Sequence, residues 1–224
     1  SGVQEPVNLT FNNIRNMESL AGRLSSQLMT DSLSLLEALT NPDIAAGYGF
    51  NSQTFGAMFI PNTYQVYWDT SVKGLTDRMK KEYDAFWNSN RKKRAQEIGL
   101  TPLEVSTLAS IVEEEATYAD EYPIVAAPTV KFAVGDPTLR RILFKHLEVE
   151  SPYNTYKNDG LPPGPIRIPS IQGIDAVLNP VSHNYLFMCA KDDLSGRHNF
   201  AVTHAEHARN ARAYQRALNE RRIY

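Results

Sequence analysis

Three consecutive glutamates, Glu113-Glu114-Glu115, close an apolar stretch of this chain. A carboxyl group can give a proton to a leaving oxygen and take one back, so their placement decides what chemistry the stretch can do. At about 100° per residue, Val105, Leu108, Ile111 and Val112 share one arc of a helix, and Glu115 falls inside it. Of the three acids only Glu115 continues the i, i+3, i+7, i+10 stripe from Val105, so it is expected toward the interior or the floor of a cleft. A carboxyl group there would lose hydration of its anion and hold its proton to higher pH, as a general acid must. An acidic run near a helix end is otherwise a solvated patch. That reading fits Glu113 and Glu114, and periodicity alone leaves both readings of Glu115 open.

Other groups with chemical potential are thinner on the ground. His204 and His207 stand at i, i+3, a possible metal spacing without an evident third ligand. His198 lies at an expected hairpin edge, where it either faces a cleft or serves structure. Cys189 sits in the apolar run YLFMCA and reads as a structural thiol. No glycine-rich dinucleotide fingerprint, phosphate-binding loop or Gly-x-Ser-x-Gly elbow occurs, so no cofactor or metal is called for. The formal net charge of -2 supplies no basic field for nucleic acid. With 42% hydrophobic and 21% charged residues in 224, the chain suits a large domain or a small module plus a catalytic one.

The elements that must position these groups follow from caps and periodicity. Thr101, Pro102 and Glu104 form a Thr-x-x-Glu start for the helix that carries the glutamates. Before it, Val7, Leu9 and Phe11 alternate as a strand. Asn16 and Asp31 (or Thr30) open two short helices, and after a loop over 41–56 the run MFIPNTYQVYW is extended, giving the order β-α-α-β. A long amphipathic helix is expected from Gly74 to about Ile98, ending in the basic run Arg91-Lys92-Lys93-Arg94, a solvated helix end or an anion site. Loop and strand are expected over 122–134 and a short helix over 139–147. Ser151 to Ser170 holds five prolines and two glycines, too stiff and irregular for a helix or central strand. It is an ordered loop whose Tyr153, Asn154 and Tyr156 could hold a sugar. Ser170 caps the helix IQGIDAVL, YLFMCA and HNFAV make a hairpin, and Thr203 with Glu206 opens a terminal helix with Tyr214 and Leu218 inward.

Together these residues resemble the YceG-like endolytic murein transglycosylases. The resemblance is carried by Ala109-Ser110-Ile111-Val112-Glu113-Glu114-Glu115-Ala116, Phe59-Ile60-Pro61-Asn62-Thr63-Tyr64, Pro128-Thr129-Val130, Tyr153-Asn154-Thr155-Tyr156, Gly160-Leu161-Pro162-Pro163-Gly164-Pro165-Ile166 and His198-Asn199-Phe200. It covers nearly the whole chain. It implies an α+β fold: a small β-α-α-β LysM-like module over residues 1–68, then a mixed helix and antiparallel-strand catalytic domain over 69–224. It further implies that Glu115 is the catalytic acid and then base, with Glu113, Thr129, Tyr153, Asn154, Tyr156 and His198 around the substrate. The implied substrate is peptidoglycan, cut between N-acetylmuramic acid and N-acetylglucosamine to leave a 1,6-anhydro end. Implied partners are glycan strands and peptidoglycan synthases, and the implied location is the inner membrane, single-pass, facing the periplasm, through an anchor upstream of residue 1. Rival readings are a hydrolytic muramidase and a non-catalytic glycan-binding scaffold. The sequence departs from the family's pattern in one place: a segment with Asn-Arg-Leu and Gln-x-Asp is absent between Ala126 and Pro128, either deleted or not represented in this sequence.

Overall fold

The computed structural model describes residues 5–126, 153 and 160–221. Strand β1 (Pro6–Phe11) pairs antiparallel with β2 (Asn62–Tyr67), Leu9 opposite Tyr64 and Phe11 opposite Asn62. Alternation sends Leu9, Phe11, Tyr64 and Val66 inward, against helices α1 (Met17–Ser25) and α2 (Ser32–Thr40). Both caps read from the sequence are made: Asn16 accepts from the Ser19 N–H, and Asp31 from the Ser34 N–H at 2.9 Å.

Three expectations are corrected. The loop over 41–56 contains a further helix, α3 (Pro42–Gly47), and leads into a 3-10 turn, Phe55–Met58. Asn41 caps α3 with its side chain and Pro42 takes the first turn, a start signal hidden by the helix's six-residue length. The long helix expected from Gly74 to Ile98 is two: α4 (Val72–Phe86) and α5 (Ser89–Glu97). Trp87 leaves helical geometry and is buried, while Asn88 is extended and caps α5 through Arg91 N. A polar cap beside a bulky residue that must reach the interior outweighs the continuous amphipathic pattern. Residues 122–126, expected as loop and strand, are helical; the rest of 127–152, with the expected helix 139–147, lies outside the described residues.

The break also relocates the basic run to the middle of α5, where it joins two helices rather than ending one in solvent. Arg91 pairs with Asp175 at 3.1 Å and lies over the Phe86 ring, and Arg94 donates to Asn179. Both acceptors belong to the region of α7 (Ile171–Leu178), capped by Ser170 as expected. The hairpin pairs β3 (Phe187–Ala190) with β4 (His198–Ala201), Cys189 opposite Asn199. The terminal helix α8 (His204–Glu220) opens on the Thr203/Glu206 capping box and packs on the hairpin, with none of its residues, Tyr214 and Leu218 included, fully buried.

Two apolar clusters result. The first is built by β1, β2 and α1–α3, and extends past residue 68 to Leu75 and Met79 of α4 and to Ile168. The second gathers Ile60, Trp87, α6 (Pro102–Glu115) and α7, with Met188 and Phe200 of the hairpin against it. Between them runs the chain from Gly160 to Ser170, a strap drawn tight enough that a Cβ on Gly164 would stand 2.3 Å from the Gln53 carbonyl oxygen.

Candidate functional site

Helix α6 begins as its sequence dictates: Thr101 accepts from Glu104 N, and Glu104 returns a carboxylate to Thr101 N at 2.7 Å. It ends at Glu115, with Ala116 extended at φ -129°, ψ 134°. The three acids of the last turn therefore face three directions about 100° apart, and their surroundings differ.

Glu113 is the buried one. Its Oε1 accepts from the Ser170 N–H at 2.8 Å and from the Ser170 hydroxyl, and its Oε2 lies 3.5 Å from Arg167 Nε. Room for it comes from Gly173, where a Cβ would stand 2.3 Å from Oε1. Burial, followed by the charge of Glu113, pushes the Tyr122 hydroxyl above its ordinary range, with Arg167 opposing. Glu114 is exposed, held by Arg167 at 2.8 Å and by Arg15 at 3.3 Å. Glu115 is exposed and, among the described residues, makes neither a hydrogen bond nor an ion pair.

The expectation that Glu115 alone is drawn to the interior is thus corrected. The close-packed face of α6 is made of small residues, Ser106, Ala109 and Ser110, all fully buried, and Glu113 lies on that face. Small side chains let α7 and the strap approach; Ile166 N reaches Ser110 Oγ at 3.0 Å. Val105, Leu108 and Val112 are fully buried as well, so burial wraps most of the helix, and a stripe counted from large aliphatics alone leaves out the small-residue face on which Glu113 lies. Both oxygens of Glu113 are engaged within the protein.

Beyond Ala116 the chain crosses to the hairpin. Tyr118 donates to the Ser195 carbonyl at 2.8 Å, and Arg197 stacks on the Tyr118 ring while pairing with Asp120. Glu121, buried, accepts from His198 N at 3.0 Å and pairs with His198 Nδ1 at 2.9 Å. A carboxylate there can only accept, so Nδ1 carries a hydrogen and the ring is held with Nε2 turned away from Glu121. His198 is in this way fastened to a residue six positions after Glu115. Tyr153 is half-buried, and burial raises its hydroxyl. Thr129, Asn154 and Tyr156 lie outside the described residues. His204 and His207 both flank the Phe187 ring, His207 stacked at 5.2 Å.

Arg167, Ser170 and Glu121 are the residues that periodicity did not single out. Arg167 sits in Ile-Arg-Ile inside a proline-rich loop, but Ile168 is buried and Ile166 exposed, so the strap does not follow a strand's alternation and offers no periodic signal.

Comparison with known proteins places this arrangement. The family model described as YceG-like matches residues 1–213. The chain belongs to the YceG-like family. Among curated relatives of this YceG-like chain, an endolytic murein transglycosylase of Bacillus subtilis (strain 168) is 34% identical over 171 residues, covering 68% of the chain and 46% of the relative. One from Streptococcus pneumoniae serotype 2 (strain D39) is 27% identical over 208 residues, covering 83% and 36%. The chain thus spans less than half the length of these relatives. A crystal structure of a yceG-like protein from Listeria monocytogenes matches with a TM-score of 0.68 and 25% identity, covering 92% of this chain and 76% of that one. The α+β fold of mixed helices and small antiparallel sheets is therefore that of the family.

Proposed function

We propose that this YceG-like chain carries the catalytic part of an endolytic peptidoglycan lytic transglycosylase, with Glu115 as acid and then base. The observation that carries the reading is the freedom of Glu115. Glu113 and Glu114 are committed to Arg167, Arg15 and Ser170, whereas Glu115 is exposed and unpartnered among the described residues. The printed name of the relatives, endolytic murein transglycosylase, supplies the substrate class.

The chemistry suits a single free carboxyl group. A hydrolase acting on a glycoside ordinarily needs two, one as acid and one as nucleophile or base for water. Here the nearby buried carboxylate beyond the triplet, Glu121, is spent on His198. In the proposed reaction the Glu115 proton passes to the glycosidic oxygen as the bond from the muramic acid anomeric carbon breaks and positive charge develops there. The resulting carboxylate takes the proton of that sugar's 6-hydroxyl, whose oxygen closes on the anomeric carbon. The products are a 1,6-anhydro muramic acid end and a free hydroxyl on the departing glucosamine, and the acid is regenerated. Because the nucleophile belongs to the substrate, positioning replaces capture of water. His198 Nε2, Tyr153 and, from the resemblance, Thr129, Asn154 and Tyr156 hold the glycan; Glu113 acts from behind the helix.

In the same reading residues 1–68 form a LysM-like module and 69–224 the catalytic domain. A single-pass anchor upstream of residue 1 would hold the enzyme on the periplasmic side of the inner membrane near peptidoglycan synthases. No helix among the described residues is long and apolar enough to cross a membrane. The test is digestion of purified glycan strands followed by mass analysis of the new ends. Anhydro ends that disappear with Glu115→Gln are expected. Reducing ends would identify a muramidase, and intact strands a non-catalytic glycan binder; either result overturns the proposal.

A further inference from the structure

We propose that Arg167 is a positioning residue of this site, fixing the last turn of α6 so that Glu115 is presented away from the strap; the inference rests on the reading of Glu115 as the acid. Its side chain is 11% exposed and its guanidinium reaches three places: Glu114 Oε1 at 2.8 Å, Glu113 Oε2 at 3.5 Å from Nε, and Asn13 Oδ1. Glu113, with a side chain 5% exposed, is locked from its other side by Ser170. The flanking backbone cannot follow a displaced side chain. Ile166 N is bound to Ser110 of α6, and Ile168 N to the Ile14 carbonyl at 3.0 Å, with Ile168 itself in the first core. Arg167 thus enters the end of α6 from a strap fastened both to that helix and to the N-terminal half.

The end of a helix is where such fastening matters. The last four carbonyls lack intrahelical partners and the terminal turn frays first. Residues 113 and 114, immediately before Glu115, are the two that Arg167 grips. With both directions fixed, helical geometry sends Glu115 about 200° from Glu113, away from α7 and the strap. The guanidinium fork can bridge two carboxylates and an amide oxygen at once, whereas an ammonium is a point charge. A buried Arg167 does not touch a glycan, so its contribution must appear in the chemical step rather than in binding. Misplacement of a reacting group by about 1 Å costs on the order of 100-fold.

The test uses the whole chain acting on purified glycan strands. Arg167→Met leaves a buried carboxylate unpaired and will lower stability, so the decisive variant is the double replacement Arg167→Met/Glu113→Gln, which neutralises the pair and lets the helix pack. We expect it to melt near the wild-type temperature with kcat per folded molecule reduced about 10- to 100-fold and KM within about threefold. Amide exchange at residues 114–118 should be faster. Arg167→Lys should recover part of kcat at unchanged KM. A purely structural Arg167 would lower the folded fraction and leave kcat per folded molecule unchanged; that result, in the double variant or, should that not fold, in Arg167→Lys, overturns the inference. Glu115→Gln run alongside separates the two claims. If it retains activity the assignment of the acid has failed; if it is inert while the double variant is fully active, only the positioning role has failed.

Discussion

Two residues apart on one helical turn, Glu113 and Glu115 live under opposite conditions. Glu113 is buried, faces Arg167, and receives two hydrogen bonds from Ser170; Glu115 is exposed and unpartnered among the described residues. The difference is one of office. A carboxyl group whose two oxygens are engaged within the protein suits a fastening point, whereas one that must reach a substrate oxygen needs its own oxygens open. The fold directs its nearby cations, Arg167 and Arg15, to the two acids that hold the helix end and leaves the third exposed.

The comparison is broken most severely by exchanging the free acid. Glu115→Gln keeps the shape, removes the transferable proton and disturbs no partner among the described residues. Turnover should fall by about 10²- to 10⁴-fold or more while the unfolding midpoint stays where it was. Retained turnover in the purified variant would contradict the assignment. Next comes the other side of the contrast. Arg167→Met alone uncovers the buried charge of Glu113 and should cost about 3–5 kcal/mol in denaturant unfolding, with far less lost when Glu113→Gln accompanies it. Equal losses in single and double variants would mean that the pair does not behave as one.

Smaller effects sharpen the contrast. Glu121→Gln exchanges a buried carboxylate for an amide where His198 donates from both N and Nδ1, and should cost about 1.5–3 kcal/mol. It should also weaken glycan binding by releasing the His198 ring, visible as a rise in KM larger than the fall in kcat. Glu114→Gln is the mildest change. The amide oxygen still accepts from Arg167, and the pair with the largely exposed Arg15 is screened by water, so stability should shift by less than about 1 kcal/mol and turnover hardly at all. A large effect at Glu114 would move it from the fastening into the chemistry.

How much of this was legible in the sequence depended on the range of the signal. Caps are local, and Asn16, Asp31, Thr101, Ser170 and Thr203 all open the helices they were read to open. Strand alternation named the buried residues of β1, and the hairpin followed from its two apolar runs around a polar turn. The break at Trp87-Asn88 was not read, because a periodic pattern continues smoothly through a point where only tertiary burial demands a turn. The burial of Glu113 was missed for a related reason. The tightest face of α6 is lined by Ser106, Ala109 and Ser110, which carry little hydrophobic weight yet permit the closest approach. What is packed there, the strap with Arg167, arrives from more than fifty residues along the chain, a distance over which periodicity carries nothing. Resemblance of the motif points to Glu115, which stands as the proposal; the burial expected from periodicity gives way to an exposed side chain without a partner among the described residues.

Glu115 as acid and base is decided by the mass of the muramic acid ends released from purified glycan strands by the wild-type chain and by Glu115→Gln, in parallel. The wild type should give 1,6-anhydro ends, formed without incorporation of oxygen from labelled water, and the variant none above background. Reducing ends carrying the label, or anhydro ends that persist at the wild-type rate in Glu115→Gln, would contradict it.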